Sequence, residues 1–515
     1  MRNAKNNLAA VVLITQLLSV PILSQAPNSK SSTKPPEDSI VVVPHDELNT
    51  IENKDVVFPA RGGSVDWGLA LSGGGIRSGS FSVGAMKALY DAGYLDNIDA
   101  ISTVSGGGFA SYWLYGLYDV KSQPRFGSAA FGDDSYLRNT CDLQTRSDMY
   151  SLGKMVGAVF HKRSNAFDKY MASIHRTFGV ENTGLEDLRI ASYNDAVRRA
   201  RVPYLIINTS LNVKGLRVQS VEVTPDYVGN DKLGYGRWTS SPLFREAVAW
   251  SAAGIKFKLK QEVPNFAPGK APDKNFYLYD GGWSENSGAL PLIRRGIQNV
   301  IVIDSEHDPR YQYGAYFKLK NTLKDQYNID LSVCDVGQQL SQIPTKFIMK
   351  GTARRVGKDP IETTIYWVKM TRPEFLFPKD RDEQLRNADG WKKAEALLRE
   401  WYKAGVSAAA IRDVATKPTD YHKHFDAICD AAPKRPIDPA MYYWLANRYR
   451  YRLAATKWKK LGIFGKGGVY EFPQLTTWDQ SYYPDQMEAF IGLGYLEGKV
   501  LVELLNTDGA DHTEP

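Results

Sequence analysis

The sequence predicts an α/β protein of three layers, α/β/α. A central, mostly parallel β-sheet is flanked by helices and carries a helical insertion and a C-terminal extension. Three observations predict it. Between residues 66 and 118 two strand-like runs alternate with two helix-like stripes, the order that builds a parallel sheet. Glycine-rich loops follow both strands at their C-terminal ends, where open α/β sheets form their sites. The composition, 43% apolar and 23% charged, is that of an ordinary globular chain, and 515 residues suffice for one large α/β domain with insertions or for several units. A long disordered chain, a collagen and a multi-span membrane protein are excluded.

Residues 1–26 read as a secretory signal. Arg2 and Lys5 give a positive start, residues 8–23 are apolar and nearly uncharged, and Ser24-Gln25-Ala26 is a small-x-small cleavage pattern. The alternative is an uncleaved anchor, although the apolar run is short against the roughly 20 residues that span a bilayer. Export to periplasm or medium is expected, with membrane association if the segment is retained. Residues 27–60, rich in Pro, Ser, Asn and charge, read as a linker.

Residues 61–310 read as the main domain. A short buried strand at 66–71 leads to a helix at 80–92, with Phe81, Ala85, Met86 and Leu89 on one stripe and Gly93 as its stop. A second strand, 100–104, leads to a helix at 107–118 with Phe109, Trp113, Leu114 and Leu117 on one face. The polar, basic, tyrosine-rich stretch at about 119–200 reads as an insertion with helical pieces, for example at 185–191. A strand at 204–211, an alanine-rich helix at 244–253 and strands at 276–279 and 299–303 complete the domain. Residues 311–515 read as a C-terminal extension, mixed and mainly helical, packing on the core. Within it 364–370 is one more strand and 487–505 a long apolar helix.

Three loops carry chemistry. Ser72-Gly73-Gly74-Gly75-Ile76-Arg77-Ser78-Gly79 joins the first strand to its helix; its bare N–H groups and the positive helix end make an anion cradle. No Gly-Lys-Ser/Thr follows, so it is not a P-loop, and Ser78 breaks the dinucleotide fingerprint. Thr103-Val104-Ser105-Gly106-Gly107-Gly108 puts a serine at a sharp strand-to-helix turn, a nucleophile elbow with Thr103 in place of the usual first glycine. Asp280-Gly281-Gly282-Trp283-Ser284-Glu285-Asn286 follows a later strand and puts a carboxylate on a bare turn. A serine nucleophile needs a base within hydrogen-bond reach and donors for the developing oxyanion, and these loops supply one of each.

With these motifs in hand, the sequence resembles the patatin-like phospholipase family. Residues 72–77 resemble its G-G-G-x-R/K-G loop, with Ser78 where the family usually has glycine. Residues 104–107 resemble its elbow, and Asp280-Gly281-Gly282 its D-G-G/A motif. Softer matches are residues 203–209 and the alanine/serine-rich residues 247–253. The resemblance covers roughly residues 65–305, and residues 472–505 resemble a C-terminal helix of some bacterial members. It implies a serine acyl hydrolase with a Ser–Asp dyad and no histidine, acting on phospholipids or lysophospholipids at a membrane surface. Ser105 would be the nucleophile and Asp280 the base. The glycine loop, Gly73, Gly74 and Gly75, with Gly106, would form the oxyanion hole. Arg77 would stabilise the loop or bind a lipid phosphate. No cofactor and no metal, calcium included, is expected.

Other readings stand beside this one. Ser105, Asp280 and His307 occur in the chain order of an α/β-hydrolase triad, although His307 lies in the charged segment Asp304-Ser305-Glu306-His307-Asp308, read as an exposed strand-end loop. A lipid-binding protein without turnover is the reading from another class. Asp133-Asp134 lacks the rest of a calcium loop, and no zinc spacing is present. The aromatic and basic stretch 442–460 is either an interfacial helix or a solvated helix face. Trp283 either faces substrate or joins the core. Cys141, Cys334 and Cys429 are too few for a disulfide scaffold, and a net charge of +7 gives no sign of nucleic-acid binding.

Overall fold

The computed structural model describes residues 39–58, 65–117, 148–150, 163–180, 184–199, 202–212, 217–254, 261–267, 275–341, 344, 346–357, 360–371, 473–475, 477, 480–482 and 484–510. The secretory-signal reading of residues 1–26, Asp133-Asp134, the stretch 442–460, Cys141 and Cys429 lie outside the described residues.

The elements follow the chain. Strand β1 (Ile40–Val42) precedes β2 (Trp67–Leu71), helix α1 (Gly75–Asp91), β3 (Ala100–Val104) and α2 (Gly106–Gly116). Then come β4 (Asp148–Tyr150), α3 (Arg163–Phe178), β5 (Tyr204–Leu211), β6 (Gln219–Val223), β7 (Tyr227–Asn230), β8 (Gly234–Trp238) and α4 (Phe244–Ser251). β9 (Gln261–Pro264), β10 (Asn275–Asp280), α5 (Leu290–Arg294), β11 (Asn299–Asp304) and α6 (Gly314–Tyr327) lead to β12 (Asp330–Val333), β13 (Ile348–Arg355) and β14 (Ile361–Lys369). β15 (Gln480–Ser481), paired with β4, and α7 (Pro484–Ala510) close the described chain.

Thirteen of these strands form one mixed sheet, in the order β1-β8-β7-β6-β5-β3-β2-β11-β14-β13-β12, with β10 beside β5 and β9 beside β10. The block β5-β3-β2-β11-β14 is parallel. Its strands are covered on both faces, which is why the first half of β5, Tyr204-Leu205-Ile206-Ile207, and the centre of β11, Val300-Ile301-Val302-Ile303, are buried apolar runs. The outer strands are antiparallel, and β13 alternates buried Met349, Gly351 and Ala353 with exposed Lys350 and Arg354. Central, mostly parallel strands flanked by helices are thus the observed fold.

The differences from the sequence reading are local. Residues 39–58, expected within a linker, supply an edge strand: Ile40 pairs with Trp238, and Val43 and Ile51 are buried against Tyr235. The insertion expected at about 119–200 contributes α3, whose Phe178 ring stacks on Phe109 of α2 at 5.2 Å, so this part belongs to the core. The antiparallel run β6-β7-β8 was not foreseen. The boundary expected at residue 310 falls inside the sheet, because β14 pairs in parallel with β11. Helix α7 lies directly on α1. A Cβ on Gly84 would overlap the Ile491 carbonyl oxygen, and one on Gly494 would overlap that of Phe81; Gly498 packs on Ala85 and Ala88. Small residues on both helices let the two backbones touch.

Candidate active site

Register brings the loops together. Val104 of β3 lies opposite Asn208 of β5, and Asp280 of β10 lies opposite Thr209, the next residue of β5. The end of β3 and the end of β10 therefore meet over β5, and Ser105 Oγ donates a hydrogen bond to Asp280 Oδ2 at 3.2 Å. On the other side Leu71 of β2 lies opposite Ile303 of β11, which puts the glycine loop against residues 304–308.

Ser105 has φ 49° and ψ −113°, a left-handed backbone that a non-glycine residue adopts at a cost of about 1–3 kcal/mol. Its N–H donates to Ser251 Oγ at 2.8 Å, and Ser251 Oγ donates in turn to the Asn208 carbonyl at 2.6 Å. The elbow is thus fastened from α4 to β5. Gly106, which opens α2, lies against Gly75, which opens α1; a Cβ there would overlap the Gly75 carbonyl oxygen. That contact sets the glycine loop beside the serine. Gly74 has φ 154°, and a Cβ on it would sit 2.6 Å from the Ser305 carbonyl oxygen, so only glycine fits.

The glycines differ in what their N–H groups do. Gly73 N–H, expected as an oxyanion donor, donates instead to the Asn286 carbonyl at 2.9 Å, which ties the glycine loop to the loop after β10. Among the described residues the N–H groups of Gly74, Gly75 and Gly106 have no acceptor. They belong to the positive starts of α1 and α2, which favour negative charge.

Asp280 Oδ1 accepts from Gly282 N–H at 2.8 Å, which turns the carboxylate within the short 3-10 turn Gly281–Trp283. Burial pushes the Asp280 carboxyl up to about 6, against the opposing pull of the Gly282 N–H, the Ser105 hydroxyl and the Lys318 ammonium. Lys318, on α6, donates to the Gly282 and Trp283 carbonyls at 3.1 and 2.7 Å. Glu285 is buried just beyond and accepts from the N–H groups of Ser287 and Gly288 at 2.5 and 2.8 Å.

Arg77 is fully buried. Its Nε and Nη2 donate to the Ser305 carbonyl at 3.3 and 3.1 Å, and Nη1 donates to the Leu475 carbonyl. Of the two roles expected for it, at the loop or at a lipid phosphate, these bonds are those of loop support: the guanidinium ties the glycine loop to the end of β11 and to the C-terminal segment. His307, expected to be exposed, is half-buried; burial and the Arg77 charge push its imidazole down to about 4. It is neutral at pH 7 and is no hydrogen-bond partner of Ser105 or Asp280 among the bonds of the site. The acidic residues beside it surround a lysine. Lys369, fully buried, pairs with Asp304 at 3.1 Å, Glu306 at 2.9 Å and Asp308 at 3.1 Å. Among the described residues no group of three or more His, Cys, Asp and Glu is arranged to hold a metal ion. Trp283 is 46% exposed, on the turn that holds Asp280, and Cys334 is an exposed free thiol.

The sequence reading missed Ser251 as the elbow's fastening, Asn286 as the partner of the glycine loop, and Lys318. Ser251 stood in the alanine/serine-rich helix, which was its only signal; Lys318 had none.

A parallel α/β core with a serine elbow, a glycine cradle and an aspartate turn at one edge defines an α/β protein of the patatin fold. Residues 69–293 match the family model of the patatin-like phospholipases, which makes this span a patatin-like phospholipase domain. No curated protein matches the chain by sequence. A solved structure of the human GIVD cytosolic phospholipase A2 aligns over 91% of this chain and 68% of its own, at 12% identity and a TM-score of 0.53, a likeness of fold. A structure of human GIVD cytosolic phospholipase A2 in complex with methyl gamma-linolenyl fluorophosphonate aligns over 91% of this chain and 65% of its own, at 14% identity and a TM-score of 0.45.

Proposed function

We propose that this chain is a serine acyl hydrolase that cleaves acyl esters of phospholipids or lysophospholipids, with Ser105 as nucleophile and Asp280 as base. The observation that carries the reading is the contact of 3.2 Å between the strained elbow serine and a carboxyl that burial has raised to about 6. A carboxylate so raised is a stronger base than one in water and is still ionised at pH 7. Its direct bond to the serine leaves no place for an imidazole between them, which favours the dyad over the triad with His307.

In the reaction the Ser105 hydroxyl proton passes to Asp280 Oδ2 as Oγ bonds to the ester carbonyl carbon. The carbonyl oxygen takes up the electron pair and is met by the N–H groups of Gly74, Gly75 and Gly106. Such donors are worth on the order of a hundredfold or more each in rate. Collapse of the tetrahedral intermediate breaks the bond to the alcohol, which leaves with the proton from Asp280. Water then attacks the acyl-enzyme, gives a proton to Asp280, and the fatty acid leaves as the proton returns to Ser105. Asn286 and Arg77 hold the loop that carries the donors. The exposed Trp283 supports contact with a lipid surface, and the reading of residues 1–26 supports an exported protein.

The test is fatty-acid release from mixed phospholipid vesicles by the full chain beside Ser105→Ala, Asp280→Asn and His307→Ala. The reading expects loss in the first two and retention in the third. Full activity in Ser105→Ala sinks it, and cell fractionation checks export separately.

A further inference from the structure

The 3-10 turn Gly281–Trp283 does two things at once. Its Gly282 N–H turns the Asp280 carboxylate, and its carbonyls face different partners: that of Gly281 accepts from the Ser284 N–H at 3.0 Å, and those of Gly282 and Trp283 face a lysine. Lys318 meets both of the last two carbonyls, Gly282 at 3.1 Å and Trp283 at 2.7 Å, from a different element, α6. A cation at this end of a turn is well placed with respect to its dipole. α6 is itself fixed: Glu306 Oε2 accepts from the Ala315 N–H at 2.9 Å in its first turn, and Glu306 is held by the buried Lys369 at 2.9 Å.

We propose that Lys318 is the positioning residue of the Asp280 base, holding the turn that aims the carboxylate at Ser105 and supplying the positive charge that keeps it ionised. The proposal rests on the dyad reading. The groups that face Asp280 are the Ser105 hydroxyl from the start of α2, the Gly282 N–H from its own turn and Lys318 from α6. The charges that face Lys318 are Asp280, Glu285 from the loop after the turn and Glu306 from the loop after β11. Burial pulls the lysine below its ordinary range, against those three carboxylates. A half-buried ammonium bonded to two carbonyls and set among three carboxylates does not act by turnover; it acts on the carboxylate through the turn and through its charge.

The experiment compares wild type, Lys318→Met, Lys318→Arg and Lys318→Gln in the full chain. Asp280 is titrated by carbon NMR of carboxyl-labelled aspartate, its signal identified by its loss in Asp280→Asn. In parallel, kcat/KM on p-nitrophenyl butyrate is measured against pH. Without the charge, Asp280 in Lys318→Met titrates higher by roughly one unit. The acid limb of kcat/KM moves with it, and kcat falls on the order of tenfold through the freed turn. Lys318→Arg restores most of the midpoint. Lys318→Gln keeps a donor but no charge; it recovers kcat without recovering the midpoint, and it serves if the Met variant does not fold. An Asp280 midpoint that is the same in wild type, Met and Gln variants overturns the proposal. The NMR titration needs no turnover. A protein inert toward esters that still shows the shift keeps Lys318 in this role and sinks the hydrolase reading instead.

Discussion

Asp280→Asn should make the protein more stable at neutral pH while removing its activity. Asp280 titrates at an ordinary 3.8 when unfolded and is raised to about 6 in the fold, chiefly by burial. Between these values the native carboxyl keeps a proton that the unfolded chain has released. The native state then binds more protons, and stability falls as pH rises through that window. The gap of about two units corresponds to about 3 kcal/mol that the wild type has lost by pH 7. Asparagine carries no charge to desolvate, and its carbonyl oxygen still accepts from Gly282 N–H, the bond that Asp280 makes at 2.8 Å. Urea midpoints of both proteins, read by tryptophan fluorescence at about pH 4, 5, 6, 7 and 8, measure the difference. It should be near zero at the acid end, grow to about 3 kcal/mol by about pH 7 and stay flat above. Ester hydrolysis should fall by about a hundredfold to ten thousandfold, as loss of a positioned base does. A stability difference that does not change with pH would refute the argument, because it would mean that the ionised carboxylate bears no burial cost.

Other outcomes follow from the same geometry. The acid limb of kcat/KM for the wild type should bend near pH 6, with activity rising as Asp280 loses its proton; a flat profile from about pH 5 to 8 would remove the base role. Ser251→Ala leaves the N–H of the strained Ser105 without its acceptor, so denaturation should show a loss of about 1–3 kcal/mol and kcat should drop more than KM changes. Gly494→Ala pushes a methyl group into the Phe81 carbonyl and parts α7 from α1, the helix that starts at the glycine loop; a loss of about 1–3 kcal/mol in urea should come with lower kcat.

The central strands and the glycine-rich loops at their ends were legible in the sequence because both follow from local pattern. A strand buried on both faces must be an apolar run, as β11 is, and a loop whose backbone touches another backbone must be glycine, as Gly74 and Gly106 are. The meander β6-β7-β8 has neither mark: it is short, half-polar and broken by Gly229 and Gly234, so its pattern reads as loop. The supporting residues were hidden for a different reason. Ser251 reaches Ser105 across 146 positions and Lys318 reaches Gly282 across 36, and such pairs exist only once sheet register has fixed which loops meet.

Arg77 shows both limits in one residue. A cation in the first turn of a helix opposes the helix dipole, so an arginine there needs partners that offset the cost. Those partners lie 228 and 398 positions away, the carbonyls of Ser305 and Leu475. The bond to Leu475 makes the C-terminal segment part of the glycine loop's support. The glycine loop is therefore anchored in part outside residues 69–293, the span the family model recognises. A domain match delimits the parts of a site that lie in local motifs, whereas the groups that hold those motifs in place are drawn from wherever the sheet and α7 bring the chain back.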